Sequence, residues 1–372
     1  MDLTKTGVGA RLRRKEDDRF LHGRGQYIAD IGFARMREVA FVRGPVAHAR
    51  LLAVHIPDRW RSSVYIAADL TGVLPIRAVS PLPGFQASEQ PPLVTDKIRH
   101  VGELIAMCVA DTRAQAEDIA AQVTLEYEEL PAVVDMLAAQ EPGSVLVHDT
   151  VKRNVYLEVG FDGPIEAIAK TAPVKVTREL RTARQVMSPI ECRGFVAQWD
   201  ERLRQLILHG ATQFPHVVRT GLAQVLGLPE IQIRVVSPDV GGGFGYKAIL
   251  AAEEICLCWL AMRCGHPVRW LEDRREQLPP MRIAASTTTC CRPIPTRAAS
   301  FSLSRQRPRS IPAPILPIRS PRQSSHRKSA RSCPGPMSFP PIAARPRRWS
   351  PTSARSSRTA ASPGPTSATP WS

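Results

Sequence analysis

Ile231-Gln232-Ile233-Arg234-Val235-Val236-Ser237-Pro238-Asp239-Val240-Gly241-Gly242-Gly243-Phe244-Gly245-Tyr246-Lys247 is the stretch around which the rest of the chain can be ordered. Ile231, Ile233 and Val235 alternate with Gln232 and Arg234, the period of a strand buried on one face. Four glycines within five residues then make a loop, and 248–263 carries the apolar spacing of a long helix, closed by Cys264-Gly265 with Pro267 beyond. Consecutive glycines let main-chain N–H groups approach a ligand, and a following helix N-terminus lends a positive partial charge. A phosphate or oxo group would be well received there. The loop is no P-loop, because no Gly-Lys-Ser/Thr follows, and the GxGxxG spacing of a dinucleotide site fails at Tyr246. On its own the segment reads equally well as a tight strand–helix turn without a ligand.

Upstream, 215–226 reads as a helix with Pro215 in its first turn and Gly227 as its stop. A hairpin is expected before it, 195–200 and 203–209 turning at Glu201-Arg202. Gln213 falls between that hairpin and the helix, where its amide could donate one hydrogen bond to a bound oxygen and accept another. Taken alone, a capping or surface glutamine is the plainer account of it. The nine His form no HxH or HExxH pattern, and no GxSxG elbow exists.

Further upstream, 37–56 reads as two short strands around Gly44-Pro45, and 101–110 (VGELIAMCVA) as a buried strand. Thr112 with Gln115 three residues on is a capping box for a helix over 112–122, with Ala116, Ile119, Ala120 and Val123 on one face. Val123, Leu125 and Tyr127 then alternate as a strand closed by Pro131. Strand, helix and strand predict a small α/β domain ending near 135. Residues 136–160 read as a linker, and Glu103, Glu128 and Glu129 as solvated strand faces. Val268 to Leu271 reads as one more short strand.

The 372 residues carry 50 Lys+Arg against 34 Asp+Glu, a formal charge of +16. All of that excess lies beyond 278: residues 279–372 hold 16 basic groups, no Asp or Glu, and 18 of the 34 Pro. The basic pI is therefore no nucleic-acid footprint of the whole chain. A nucleic-acid binder acting through the tail ranks last, since only Phe301, Phe339, Trp349 and Trp371 interrupt it. Such a tail buries too little apolar surface to offset its chain entropy and is expected to be disordered. Its Pro/Arg/Ser/Ala vocabulary is that of a GC-rich gene read out of frame, so a frameshift near codon 279 is expected. The eight Cys show no CxxC pairs and read as buried cytosolic thiols. No apolar run reaches eighteen residues, and Lys15-Glu16-Asp17-Asp18 follows Arg13-Arg14 where a signal would be apolar, so a cytoplasmic chain without a membrane span is expected.

Several segments together resemble the molybdopterin-binding large subunit of the xanthine dehydrogenase/aldehyde oxidase/carbon monoxide dehydrogenase family. Arg19-Phe20-Leu21-His22-Gly23-Arg24-Gly25-Gln26-Tyr27-Ile28-Ala29-Asp30-Ile31, Ala47-His48-Ala49-Arg50, the stretch from Lys97 to Glu103 and that from Tyr127 to Val134 resemble the α/β-hammerhead domain that opens such subunits. Pro189-Ile190-Glu191-Cys192-Arg193-Gly194, Ala211-Thr212-Gln213 and Val235 to Lys247 resemble the first part of the cofactor-binding domain. The resemblance covers about 7–278. It implies an α+β / α/β chain: a hammerhead domain over 7–135, the first part of a molybdenum-cofactor-binding domain over 136–278, and the disordered tail 279–372.

The resemblance further implies that Gln213 hydrogen-bonds an oxygen ligand of molybdenum. It sets Gly243 and Phe244 against the cofactor and substrate pocket, with Gly242 and Gly245 shaping the turn. The metal would be held by a pterin dithiolene, as molybdopterin cytosine dinucleotide, which needs no His or Cys ligands. The implied reaction oxidises an aldehyde, an N-heterocycle or CO with oxygen from water. Electrons would pass to separate Fe-S small and FAD medium subunits, in a homo-oligomer of the heterotrimer. Tyr246 departs from the small residue many relatives carry. The general-base Glu that the family carries near its C-terminal end has no counterpart in a tail without carboxylates, so this chain is expected to be truncated and inactive. The alternative is a non-catalytic fragment that binds partner subunits.

Overall fold

Val39, Ala40, Phe41 and Val42 are buried in succession because both faces of their strand are covered. Val39 and Phe41 pack with Leu206, Leu208, Ile255 and Trp270, while Ala40 and Val42 pack with Cys108, Ala116 and Ile119. A strand enclosed on both sides reads as an unbroken apolar run, where one solvated face would have made it alternate.

This computed structural model describes residues 10, 12–158, 178–182, 186–278 and 287–291. Its strands are β1 (Arg37–Arg43), β2 (Ala49–His55), β3 (Val64–Ile66), β4 (Ile76–Arg77), β5 (Glu89–Gln90), β6 (Lys97–Ile98), β7 (Leu104–Ala110), β8 (Thr124–Glu129), β9 (Arg178–Thr182), β10 (Gly194–Asp200), β11 (Gln205–Gly210), β12 (Ile233–Val236), β13 (Val268–Leu271) and β14 (Thr287–Cys291). Its α-helices are α1 (Asp17–Leu21), α2 (Arg113–Gln122), α3 (Pro215–Leu226), α4 (Ala252–Cys264) and α5 (Arg274–Gln277). Among them is no helix long and apolar enough to cross a membrane.

One seven-stranded mixed sheet, in the order β12-β11-β10-β13-β1-β7-β3, runs from the strands of the first 110 residues into those around the glycine turn. The seam is the parallel pair β1–β13, Arg37 opposite Val268 and Glu38 opposite Arg269. α4 packs its buried Ile255, Leu257, Cys258 and Leu260 on one face of this sheet, with α3 beside it through Val218, Leu222 and Val225. α2 covers the other face at the β1-β7-β3 end. A second sheet, β6-β2-β8, shares no ladder with the first but packs against it, Ala49 and Ile98 meeting Ile105 of β7, so β7 and β8, consecutive around α2, belong to different sheets.

Most expected elements are present. α2 begins where Thr112 accepts the Gln115 N–H, α3 has the bounds expected of it, and Gly227 (φ 66°) and Gly265 (φ 64°) end α3 and α4 in the left-handed conformation. Four expectations need correction. Ile231 lies in a single 3-10 turn, Glu230–Gln232, and is 87 % exposed, because Pro229 starts a turn and the Glu230 carboxylate takes the Thr220 hydroxyl and Arg219. The long helix starts at Ala252, not 248: the Glu254 carboxylate caps Ala251 N–H at 2.5 Å, fixing the first turn there. Glu103 is not solvated. It is buried, accepting from Arg99 N–H at 2.5 Å and pairing with the Arg99 guanidinium at 3.3 Å. The expected linker is pinned down. Buried Asn154 donates to the Ala139 and Val145 carbonyls and accepts from Val147 N–H, and Lys97 reaches the Leu146 carbonyl and Asp149. The expected disorder of 279–372 falls outside the described residues, save the backbone pairing of β14 with β9.

His148 sits in that pinned connector, where burial first, then Arg99, pull its imidazolium down from 6.5 to about 4. The unfolded chain therefore takes up a proton near pH 6.5 that the folded chain refuses until about 4. The stability this protects is complete above pH 6.5 and falls as the pH drops toward 4. Urea unfolding across that window should show the decline in the wild type and a flatter line in His148→Gln.

Candidate functional site

β11 and β12 are parallel neighbours, Leu206 opposite Ile233 through His209 opposite Val236. Their C-terminal ends therefore lie side by side, and the loops that leave them meet. One is Ala211-Thr212-Gln213-Phe214, entering α3; the other is 237–251, entering α4. Ligand sites commonly form at such strand ends.

The two loops are laced together. Lys247 C=O accepts Gln213 N–H at 2.9 Å and the Thr212 hydroxyl at 3.3 Å, and Gly245 N–H donates to Gln213 Oε1 at 3.0 Å. With Oε1 engaged, Nε2 is the end of the exposed Gln213 left to donate. Gly243 lies so close that a Cβ there would come 2.6 Å from Gln213 Oε1 and 2.8 Å from its Cγ, so any larger residue would push the Gln213 side chain out of this position. Gly242 (φ 99°) and Gly245 (φ 85°) take conformations that side chains rarely adopt, and Phe244 between them takes φ 52° as well. Phe244 is 71 % exposed, at a backbone geometry uncommon for a bulky residue, which marks an imposed turn. The turn is not backed by a helix N-terminus, since Tyr246 to Ala251 separate it from α4. Donation to an oxygen would thus come from main-chain N–H groups and Gln213, without a helix dipole.

A carboxylate holds the turn from behind. Glu191 accepts from Gly241 N–H at 2.7 Å, from Lys247 Nζ at 2.8 Å and from Ile28 N–H at 3.3 Å. Its own N–H donates to Gly241 C=O at 3.1 Å. The Lys247 side chain is fully buried; burial draws its ammonium down from the ordinary value while Glu191 opposes. Asp239, at the head of the loop, takes both guanidinium nitrogens of Arg19 and the Gln26 N–H at 2.9 Å. Burial raises the Cys192 thiol, leaving it a poor nucleophile.

Below the turn lies a buried ionic cluster. Arg193, 4 % exposed, donates to Glu253 at 2.8 and 3.1 Å and to Glu272 at 2.6 and 3.0 Å. Arg43 reaches Glu253 and Glu276, and the Tyr246 hydroxyl donates to Glu272 at 2.6 Å. The Arg193 guanidinium also stacks over the Tyr246 and Trp270 rings. Desolvation, the largest influence on Arg193, favours losing its proton, yet the two carboxylates outweigh it and raise its affinity. Tyr246, the departure noted in the sequence, is an anchor in this cluster, and burial raises its phenol.

Segments far apart in sequence thus gather in one place: 19–31, 189–194, 211–213 and 235–247. The first of these, 19–31, was expected with the hammerhead and instead lies against the turn, because Arg19 and Gln26 bond Asp239 and Ile28 N–H bonds Glu191. The other hammerhead segments gather elsewhere, where Ala49 pairs with both Ile98 and Glu129 and His48 bonds the Pro131 carbonyl. Gln213, Gly242, Gly243, Phe244 and Gly245 are brought together as one surface. Glu191, Lys247, Glu253 and Glu272 were not singled out by the sequence, where charges at such separations show no pattern.

Comparison with known proteins accounts for this arrangement. Residues 22–131 match the aldehyde oxidase and xanthine dehydrogenase a/b hammerhead domain, and residues 147–287 match the molybdopterin cofactor-binding domain. The chain belongs to the xanthine dehydrogenase/aldehyde oxidase/carbon monoxide dehydrogenase family of oxidoreductases, to the N-terminal part of its molybdopterin-binding large subunit. It is 30 % identical over 299 residues to the carbon monoxide dehydrogenase large chain of Hydrogenophaga pseudoflava, covering 74 % of this chain and 36 % of that one. It is 33 % identical over 281 residues to the nicotine 6-hydroxylase large subunit of Paenarthrobacter nicotinovorans, covering 74 % and 34 %. The quinoline 2-oxidoreductase structure from Pseudomonas putida 86 superposes with a TM-score of 0.72 at 39 % identity, over 76 % of this chain and 37 % of that one. The chain spans about a third of the length of the curated relatives it matches.

Removing the cation of the buried cluster leaves two carboxylates crowded without it. Arg193→Met should therefore destabilise by about 3–5 kcal/mol, read as a lowered urea midpoint.

Proposed function

We propose that this chain supplies one wall of the cofactor site of a molybdenum hydroxylase, built from Gln213, Gly242, Gly243, Phe244 and Gly245. The observation that carries this reading is the close contact of Gln213 with Gly243, where an added Cβ would displace the amide, with the amide Nε2 left as donor. A polar donor beside bare main chain suits a bulky oxo-bearing group, so the residues present fit a pterin-held molybdenum. When bound, that cofactor supplies two-electron oxidation of an aldehyde, an N-heterocycle or CO with oxygen taken from water. Gln213 Nε2 would donate a hydrogen bond toward the cofactor and orient it. Gly243 and Gly245 would keep the main chain close to the cofactor, and exposed Phe244 would border the substrate.

We assign the cytosine dinucleotide form of the cofactor and separate Fe-S and FAD subunits as electron acceptors, in a homo-oligomer of the heterotrimer. The domains are read as 7–135 and 136–278, and the compartment as the cytoplasm, in keeping with the free thiols of Cys108, Cys256 and Cys258. No carboxylate follows Glu276 within the 372 residues, so the base the family carries is not among them and the chain alone should not turn over.

A second reading, a fragment that docks partner polypeptides without catalysis, is favoured by the apolar groups displayed at the turn. Ile190 is 96 % exposed, Phe244 71 % and Phe214 50 %.

The two readings separate on metal and pterin content. Full chain purified from molybdenum-replete cells should hold both in stoichiometric amount, and Gly243→Ala should lower the retained pterin about tenfold or more without lowering the thermal midpoint. Wild-type chain that captures partner subunits yet holds neither metal nor pterin would decide for the docking fragment.

A further inference from the structure

Two requirements meet at the glycine turn. Gln213 must be held at a set distance from Gly243, and the turn must stay in a conformation with three positive φ angles in four residues. Backbone of this kind relaxes unless the surroundings hold it. The direct lacing, Gly245 N–H to Gln213 Oε1, is exposed to water and gives modest restraint.

The buried restraint lies behind it and runs through one residue in two directions. The Lys247 carbonyl fixes the Gln213 loop by accepting from Gln213 N–H and the Thr212 hydroxyl. The Lys247 ammonium, its side chain fully buried, fixes Glu191 at 2.8 Å. Glu191 then holds the opposite end of the turn by accepting from Gly241 N–H, and its main chain closes a second bond to Gly241. Gly241 has no room for a Cβ, which would lie 2.5 Å from Glu191 Cβ, so carboxylate and turn are in full contact. The same carboxylate reaches Ile28 N–H in the N-terminal segment.

We propose that Lys247 and Glu191 are positioning residues that lock the glycine turn against Gln213 and thereby set the cradle in which the cofactor rests. Neither touches the face offered to the cofactor. Lys247 acts through its carbonyl and through Glu191, and Glu191 acts through Gly241. This rests on the proposed cofactor site only for what the cradle holds; the locking itself is a property of the chain without cofactor.

The test is amide hydrogen exchange on the full chain, comparing peptides across 239–248 with peptides across 104–110 in β7. The variants are Lys247→Met and the double variant Glu191→Leu/Lys247→Met. The single variant leaves a carboxylate without its cation and can lose stability; the double variant replaces the pair by apolar groups of similar volume, which a buried site commonly tolerates. In the double variant we expect exchange across 239–248 to rise about tenfold or more, the loss of one charged hydrogen-bond acceptor, while 104–110 and the thermal midpoint hold. Unchanged exchange across 239–248 would overturn the proposal, as would an equal rise in both peptides, which would make the pair a general stabiliser. Retained pterin is read in parallel. If the turn loosens and pterin is retained as in wild type, or if wild type retains none, the locking stands and the cofactor reading fails.

Discussion

Arg193 is the charge on which the arrangement turns. It opens the approach to β10, and it cannot be buried there without anions. Glu253 from α4 and Glu272 from the end of β13 provide them, with Tyr246 bonding the second carboxylate. Burying such ions contributes little net stability, because desolvation consumes most of the Coulombic gain. What the cluster does contribute is geometry, since few other placements of α4, β13 and the glycine turn would satisfy all four groups together. The elements that carry the candidate site are therefore positioned by a polar constraint inside an apolar core.

The site grows out of that constraint in layers. Parallel pairing of β11 and β12 delivers two loops to one end of the sheet. Hydrogen bonds to the Lys247 carbonyl align them, the Glu191 carboxylate backs the turn, and glycine at 243 lets Gln213 lie directly on the main chain. At each layer a small residue or a buried charge stands where an ordinary side chain would hold the loops apart. The N-terminal segment closes the outside through Arg19 and Asp239.

Local structure was legible where a short-range device sets it. Pro215 and Gly227 bracket α3, and Thr112 starts α2, because caps act over four residues and leave their mark in sequence. Two short-range bonds were nonetheless overlooked: Glu254 reaching back three residues to Ala251 sets the start of α4, and Glu103 is buried against Arg99 four residues before it. Contacts between distant residues left no such mark, as where Lys97 ties down the connector at Leu146 and Asp149. Gln213 and the glycines were recognisable as a group only through resemblance, since nothing in their spacing says that residues thirty apart touch. Glu191 and Lys247 lay inside recognised motifs without any sign that they face each other.

The parallel seam between β1 and β13 joins residues 37 and 268. A ribosome making this chain releases Phe41 and its neighbours long before their companion strand exists. Until then one edge of β1 has no strand to pair with, and the apolar side chains meant for α4 lack their cover. Assembly must wait for the last quarter of the described sequence, a delay during which nascent chains are open to chaperones or to one another.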